Sequence, residues 1–221
     1  MKLVLGMFLS QDGVAQGPGG PEEDRSGGFA HGGWSVPYWD QAMVDVQSAW
    51  VETLDALLLG RGTYEIFAAH WPHAEADDPI ATRFNRVPKY VASHAPLSLP
   101  WAGSERLEGE AAASIRALKA RPGDQLQVHG SLGLAQTLLR EGLIDELRLW
   151  WFPVVLGQGK RLFGEGTVPA GMALLDTLRF QTGVVFQHYR VGAPLSYGSF
   201  MHADPPPEEL QRRLGIAEGA A

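Results

Sequence analysis

The chain contains no cysteine. That absence removes disulfide frameworks, thiolate zinc sites and thiol nucleophiles together, and it suits a reducing compartment. Long apolar runs are missing as well. The N-terminal segment Lys2 to Leu9 turns polar at Ser10-Gln11-Asp12-Gly13. It falls far short of the ~18 residues of a membrane helix and lacks the cleavage site of a signal peptide. Positive charge is in the minority: 18 Lys and Arg against 25 Asp and Glu leave a net charge of −7, which disfavours a phosphate-backbone partner. These absences predict a soluble, cytoplasmic protein that binds neither nucleic acid nor membrane. What the chain has in excess is glycine, 27 residues alongside 15 prolines. Either the protein is rich in loops, or its backbone must come close to a ligand.

The 221 residues suit one domain with extras. Residues 2–9 read as a buried strand. Residues 10–38 hold eight glycines and three prolines without periodicity, the pattern of a functional or disordered loop. Trp39, Met43, Val46, Trp50 and Leu54 then fall on one helical stripe. A short strand follows to Gly60, and Thr63-Tyr64-Glu65 opens a second helix. Residues 72–80 read as a surface excursion. Further strands are expected at 89–93, 125–129 and 145–155, with helices over 110–121 and from 133 to a glycine cap at Gly142. A closing hairpin spans 173–181 and 184–191. The pattern stops after Gly192, so residues 1–192 are expected to form the domain and 193–221 a peripheral tail. The order predicts an α/β domain with a mainly parallel sheet and an antiparallel final section.

Ligands of such sheets bind beyond the carboxyl ends of the strands. Three strand ends carry suitable turns: Gly60-Arg61-Gly62-Thr63, Ser93-His94 and Gly130-Ser131-Leu132-Gly133. A helix N-terminus presents free N–H groups and partial positive charge, and glycine lets a pyrophosphate approach. Thr63 could instead cap a plain strand-to-helix turn, and Gly130 and Gly133 could serve close packing. Three such turns at neighbouring strand ends together describe an extended, phosphate-bearing ligand.

Leu57-Leu58-Leu59-Gly60-Arg61-Gly62-Thr63-Tyr64-Glu65, Lys89-Tyr90-Val91-Ala92-Ser93, Gly130-Ser131-Leu132-Gly133 and Pro153-Val154-Val155-Leu156-Gly157-Gln158-Gly159-Lys160-Arg161-Leu162-Phe163 resemble the dihydrofolate reductase-like proteins. The branch is the one related to the C-terminal reductase domain of bifunctional riboflavin biosynthesis enzymes. Ser10-Gln11-Asp12-Gly13 and Gly28-Phe29-Ala30-His31-Gly32-Gly33-Trp34 are similar to stand-alone bacterial members. The resemblance covers about residues 1–192. It implies a three-layer domain around a central sheet of about eight strands, and NADPH as cofactor. By analogy Gly60, Arg61 and Thr63 hold phosphates, Ser93 and His94 lie near the adenosine 2′-phosphate, and Gly130, Ser131, Leu132 and Gly133 wrap the pyrophosphate. Gly62 departs from the pattern, because relatives often carry a basic or bulky residue there.

Hydride transfer to a C=N or C=O bond also needs a proton source. With Met43 at zero on a wheel of about 100° per residue, Asp40 lies at about 60° and Asp45 at about 200°. Asp40 therefore borders the buried stripe. It is one candidate acid, its alternative being an N-terminal acid favoured by the helix dipole. Asp12 is the other, unless it belongs to an ordinary Asp-Gly turn. Trp34 and Trp39 could stack on a flat heterocycle, or could anchor the glycine-rich loop to the core. His70 and His73 have no third ligand nearby, so no metal is expected. Trp150 and Trp151 alternate faces on one strand, as core or dimer surface. The expectation is an NADPH-dependent reductase acting as a homodimer on a small flat heterocycle; a ligand-binding protein that keeps the fold without turnover is the alternative.

Overall fold

The computed structural model describes residues 1–165, 167–200 and 205–218. Eight strands form one sheet in the order β4-β3-β2-β5-β1-β6-β8-β7. They are β1 (Lys2–Leu9), β2 (Leu54–Gly60), β3 (Lys89–Ala92), β4 (Ser104–Arg106), β5 (Gln125–His129), β6 (Glu146–Trp151), β7 (Gly171–Arg179) and β8 (Val185–Ala193). The first six in space are parallel, while β8 runs antiparallel to β6 and β7 antiparallel to β8. The expected α/β class, strand number and closing hairpin are all present.

The helices are α1 (Gln41–Glu52), α2 (Arg61–His70), α3 (Pro79–Arg86), α4 (Ala111–Lys119), α5 (Leu132–Arg140) and α6 (Pro207–Glu218). Two elements correct the sequence reading. The excursion at 72–80 holds a 3₁₀ turn at Trp71–His73 and ends in α3, because Asp78 caps that helix and Pro79 supplies its first residue. β4 is three residues long and sits at the sheet edge, too short to leave a periodic trace. The stretch 10–38 has no strand or α-helix, only 3₁₀ turns at Ser26–Gly28 and Val36–Tyr38.

Strand alternation sorts the core into two faces. Leu3, Leu5, Met7 and Leu9 of β1 join Ile115 and Leu118 of α4 and Leu134 and Leu138 of α5. On the opposite face Gly6 lies directly under Trp50 of α1, where any Cβ would overlap the indole ring. Leu57 and Leu59 on β2 pack with Tyr64 and Phe84 of α2 and α3. A third cluster joins Phe29 and Trp34 of the long loop to Trp150, Phe152 and Phe186.

Candidate functional site

The carboxyl ends of β2, β3 and β5 lie side by side. Gly60 is opposite Ala92, and His129, the residue before Gly130, is opposite Gly6 of β1. The two glycine turns touch: the Gly60 N–H donates to Ser131 Oγ at 3.0 Å. Gly130 and Ser131 are both left-handed, with φ of 67° and 60°. Ser131 is the one non-glycine residue with positive φ among those described, a conformation that costs of order 1–3 kcal/mol. Left-handed Ser131 leads directly into right-handed Leu132 at the start of α5, and such a change of hand turns successive N–H groups toward one point, as in anion-binding nests.

The helix starts divide into two kinds. Asp40 caps α1 by accepting from Met43 N–H, Asp78 caps α3, and Glu110 caps α4. α2 and α5, which leave directly from β2 and β5, have no side-chain cap. Gly60 is the N-cap of α2, so Thr63 is the third helical residue and does not cap. Gly62 and Gly133 each occupy the second position of their helix, and a Cβ on either would meet nothing within 4 Å. The same holds for Gly130. Leu132 opens α5 between the two glycines. Arg61 is exposed and pairs with Glu65 at 2.8 Å. Ser93 Oγ donates to Ala95 O at 2.7 Å, and His94 is exposed beside it.

The turn after β1 is different in character. Asp12 accepts from Ser10 Oγ (2.7 Å), Leu156 N–H (3.0 Å) and Gly157 N–H (2.9 Å), and Arg161 lies 3.3 Å away. Burial alone would raise the Asp12 pKa, but the hydrogen bonds from Leu156, Ser10 and Gly157 outweigh it and hold the carboxyl at about 2. Asp12 thus ties the turn after β1 to the 156–161 segment. The Asp40 carboxylate caps α1 through a 2.9 Å bond to Met43 N–H. Trp34 is 8% exposed and its indole N–H donates to Gln16 O at 2.8 Å, so it anchors the loop. Trp39 packs edge-on against Phe8 and lies 5.7 Å from Trp150. Trp39 is half-buried.

A buried polar row escaped the sequence reading. Gln125, Gln127 and His129 alternate along β5 and are all buried. Gln127 Nε2 donates to Trp50 O and to Gln125 Oε1, which leaves its Oε1 facing His129 Nε2 at 2.9 Å. His129 thus carries its proton on Nε2 and offers Nδ1 to Gln47 Nε2 at 3.4 Å. Burial, reinforced by the Arg148 charge, pushes the imidazole pKa down to about 3, so it is neutral. Three polar residues at period two in an otherwise apolar strand were the available signal.

Residues 1–186 match the family described as RibD C-terminal domain. The protein YyaP of Bacillus subtilis (strain 168), itself uncharacterized, is 26% identical over 191 residues, covering 83% of this chain and 92% of YyaP. Among solved structures, a riboflavin biosynthesis protein from Shewanella sp. PV-4 superimposes with a TM-score of 0.62 at 20% identity, over 87% of this chain and 100% of that one. Dihydrofolate reductase from Enterococcus faecalis, complexed with NADP(H), gives 0.51 at 14% identity over 87% and 97%. These likenesses support an oxidoreductase of the riboflavin and folate type on a dihydrofolate reductase-like fold. With residues 1–186 of the 221 matched, the chain belongs to the RibD C-terminal domain family.

Proposed function

We propose that the protein is an NADPH-dependent reductase that transfers a hydride to a small flat heterocycle of the pteridine or pyrimidine kind, or to a related carbonyl or imine. The observation that carries this reading is the pair of uncapped, glycine-opened helix starts after β2 and β5, joined through Gly60 and Ser131. The free N–H groups of α2 and α5 suit the pyrophosphate, and Arg61, Ser93 and His94 suit the 2′-phosphate. When bound, the cofactor supplies the hydride. Around it, Gly60, Gly130, Leu132 and Gly133 orient the phosphates through backbone. Thr63 remains a further candidate phosphate contact from the first turn of α2. For the proton the candidates are Asp40, an ordered water and, less favoured by its low pKa and its bonds to Leu156 and Gly157, Asp12. A homodimer is part of the proposal; exposed Met172, Leu174 and Leu175 on the edge strand β7 support it.

Titration calorimetry with NADPH and NADH is the test. Saturable binding is expected, and failure of both to bind at millimolar concentration contradicts the reading. The structural bonds of Asp12 and Asp40 favour, as a second reading, a nucleotide-binding protein without turnover. Cofactor oxidation with a panel of pterins, pyrimidines and quinones separates the two.

A further inference from the structure

The closing hairpin and the tail beyond it both leave apolar side chains uncovered. Among the described residues β7 ends the sheet, with no strand on its outer edge. Met172, Leu174, Leu175 and Leu178 of β7 are exposed, Leu174 by 52%. Met172 and Leu174 lie opposite Val191 and Tyr189, whereas Leu178 lies opposite Phe186, so both faces of the strand carry exposed side chains. A bare edge strand of nine residues is a surface for association. The tail offers residues of the matching kind. Leu195, Tyr197 and Phe200 are exposed, Tyr197 by 86%, and Leu210 and Leu214 are exposed one turn apart on α6. Solvated spacers have low hydrophobicity and few aromatic rings, so this tail has the composition of a docking arm.

Charge matches the two surfaces as well. Residues 194–221 carry four acids against two arginines, a net −2, while residues 171–193 carry two arginines against one acid, a net +1. Those hairpin cations, Arg179 and Arg190, are exposed and form no ion pair among the described residues. Opposite signs on facing surfaces favour the encounter and fix its register. The exit of the tail decides whose hairpin it meets. It leaves from Ala193, which pairs with Gly171 at the start of β7, and the Ala193 and Pro194 carbonyls fill the place of a Gly171 Cβ. Leu195 and Tyr197 follow β8 by two and four residues, so lying back along their own β7 would take an immediate reversal. Residues 194–199 contain no turn, and both side chains stay exposed. The geometry points to an exchanged arm: the occupant is a second copy of this chain, with residues 195–200 of each copy lying on β7 of the other. Exchange of an identical element is a low-cost route to a two-fold dimer. The inference deepens the homodimer of the proposed function and rests on that reading, but not on the cofactor.

Sedimentation equilibrium of the full chain is the first measurement. The wild type should be dimeric, and its dissociation constant should rise at least tenfold in the tail variant Leu195→Ser/Tyr197→Ser/Phe200→Ser. Leu174→Lys should weaken the dimer to a similar degree, with thermal unfolding showing both variants folded. The chain has no cysteine of its own, so introduced thiols report which copy is touched. Mixing the Leu174→Cys and Tyr197→Cys chains and adding a short bismaleimide should give covalent dimers with one of each. A dimer that ignores the tail variant, whatever Leu174→Lys does, overturns the exchange and leaves the homodimer standing. A wild type that stays monomeric overturns both. Linkage of Leu174→Cys to Tyr197→Cys within one chain, at monomer mass in the double variant, also overturns it by placing the tail on its own hairpin. NADPH binding is read separately by calorimetry, so failure of the exchange and failure of the cofactor reading remain distinct results.

Discussion

Two regions at the same end of the sheet use similar residues for opposite ends. After β1, the Ser10-Gln11-Asp12-Gly13 turn and the 156–161 segment are tied closely: Asp12 takes four partners, Gln16 Oε1 accepts from Lys160 N–H, and Lys160 reaches Asp24 at 2.7 Å. After β2 and β5, the helix starts have no caps, Ser131 stays in a costly conformation, and the space above Gly62, Gly130 and Gly133 is open. A region built to hold itself satisfies its polar groups internally. The region proposed to hold a nucleotide leaves its two helix starts without side-chain caps. Acidic residue and glycine content do not separate the two; the bonding state of the polar atoms does.

Breaking the first region should have the largest effect on stability. Asp12→Ala leaves the Leu156 and Gly157 N–H groups without their acceptor and should cost about 3 kcal/mol in urea unfolding. Because the Asp12 pKa is depressed from 3.8 to about 2, its contribution is present above pH 3.8 and is lost as pH falls through 2. Asp12→Asn should therefore flatten acid unfolding in that window, and an unchanged acid profile would contradict the tie.

The second region should respond in the reverse sense. Gly62→Ala and Gly133→Ala put a methyl into open space within helices, so each should stabilise the free protein by roughly 0.5–1 kcal/mol. Each should also weaken NADPH about tenfold or more, about 1.4 kcal/mol, if phosphate occupies that space. A gain in both stability and affinity would sink the reading. Ser131→Ala removes the acceptor of the Gly60 N–H and keeps the left-handed strain, so it should cost about 1 kcal/mol by thermal unfolding. The smallest stability change is expected for Arg61→Gln, which breaks an exposed i,i+4 pair worth about 0.3–0.5 kcal/mol. Its effect should show instead as a reduced preference for NADPH over NADH.

The difference between the regions explains what was legible beforehand. Strand and helix order follows from apolar periodicity, and the glycine turns announce themselves by composition, so the fold and the placing of the Gly60 and Gly130 turns at neighbouring strand ends could be read in advance. Asp12 could be read as a candidate acid or as part of an Asp-Gly turn, because its partners Leu156 and Gly157 lie about 145 residues away. Trp34 could be read either as a stacking ring or as a loop anchor, because the Gln16 carbonyl and Phe152 that hold it are contacts of the folded chain. The uncapped state of α2 and α5 is likewise a property of geometry, since Thr63 stood ready in sequence to be read as a cap.

Calorimetric titration of NADPH into the wild type and Gly133→Ala, with thermal unfolding of both, tests the open helix starts most directly. Saturable binding to the wild type, and a variant that melts higher but binds at least tenfold more weakly, is the predicted result. Equal affinity in the two proteins, or no binding to the wild type, would contradict it.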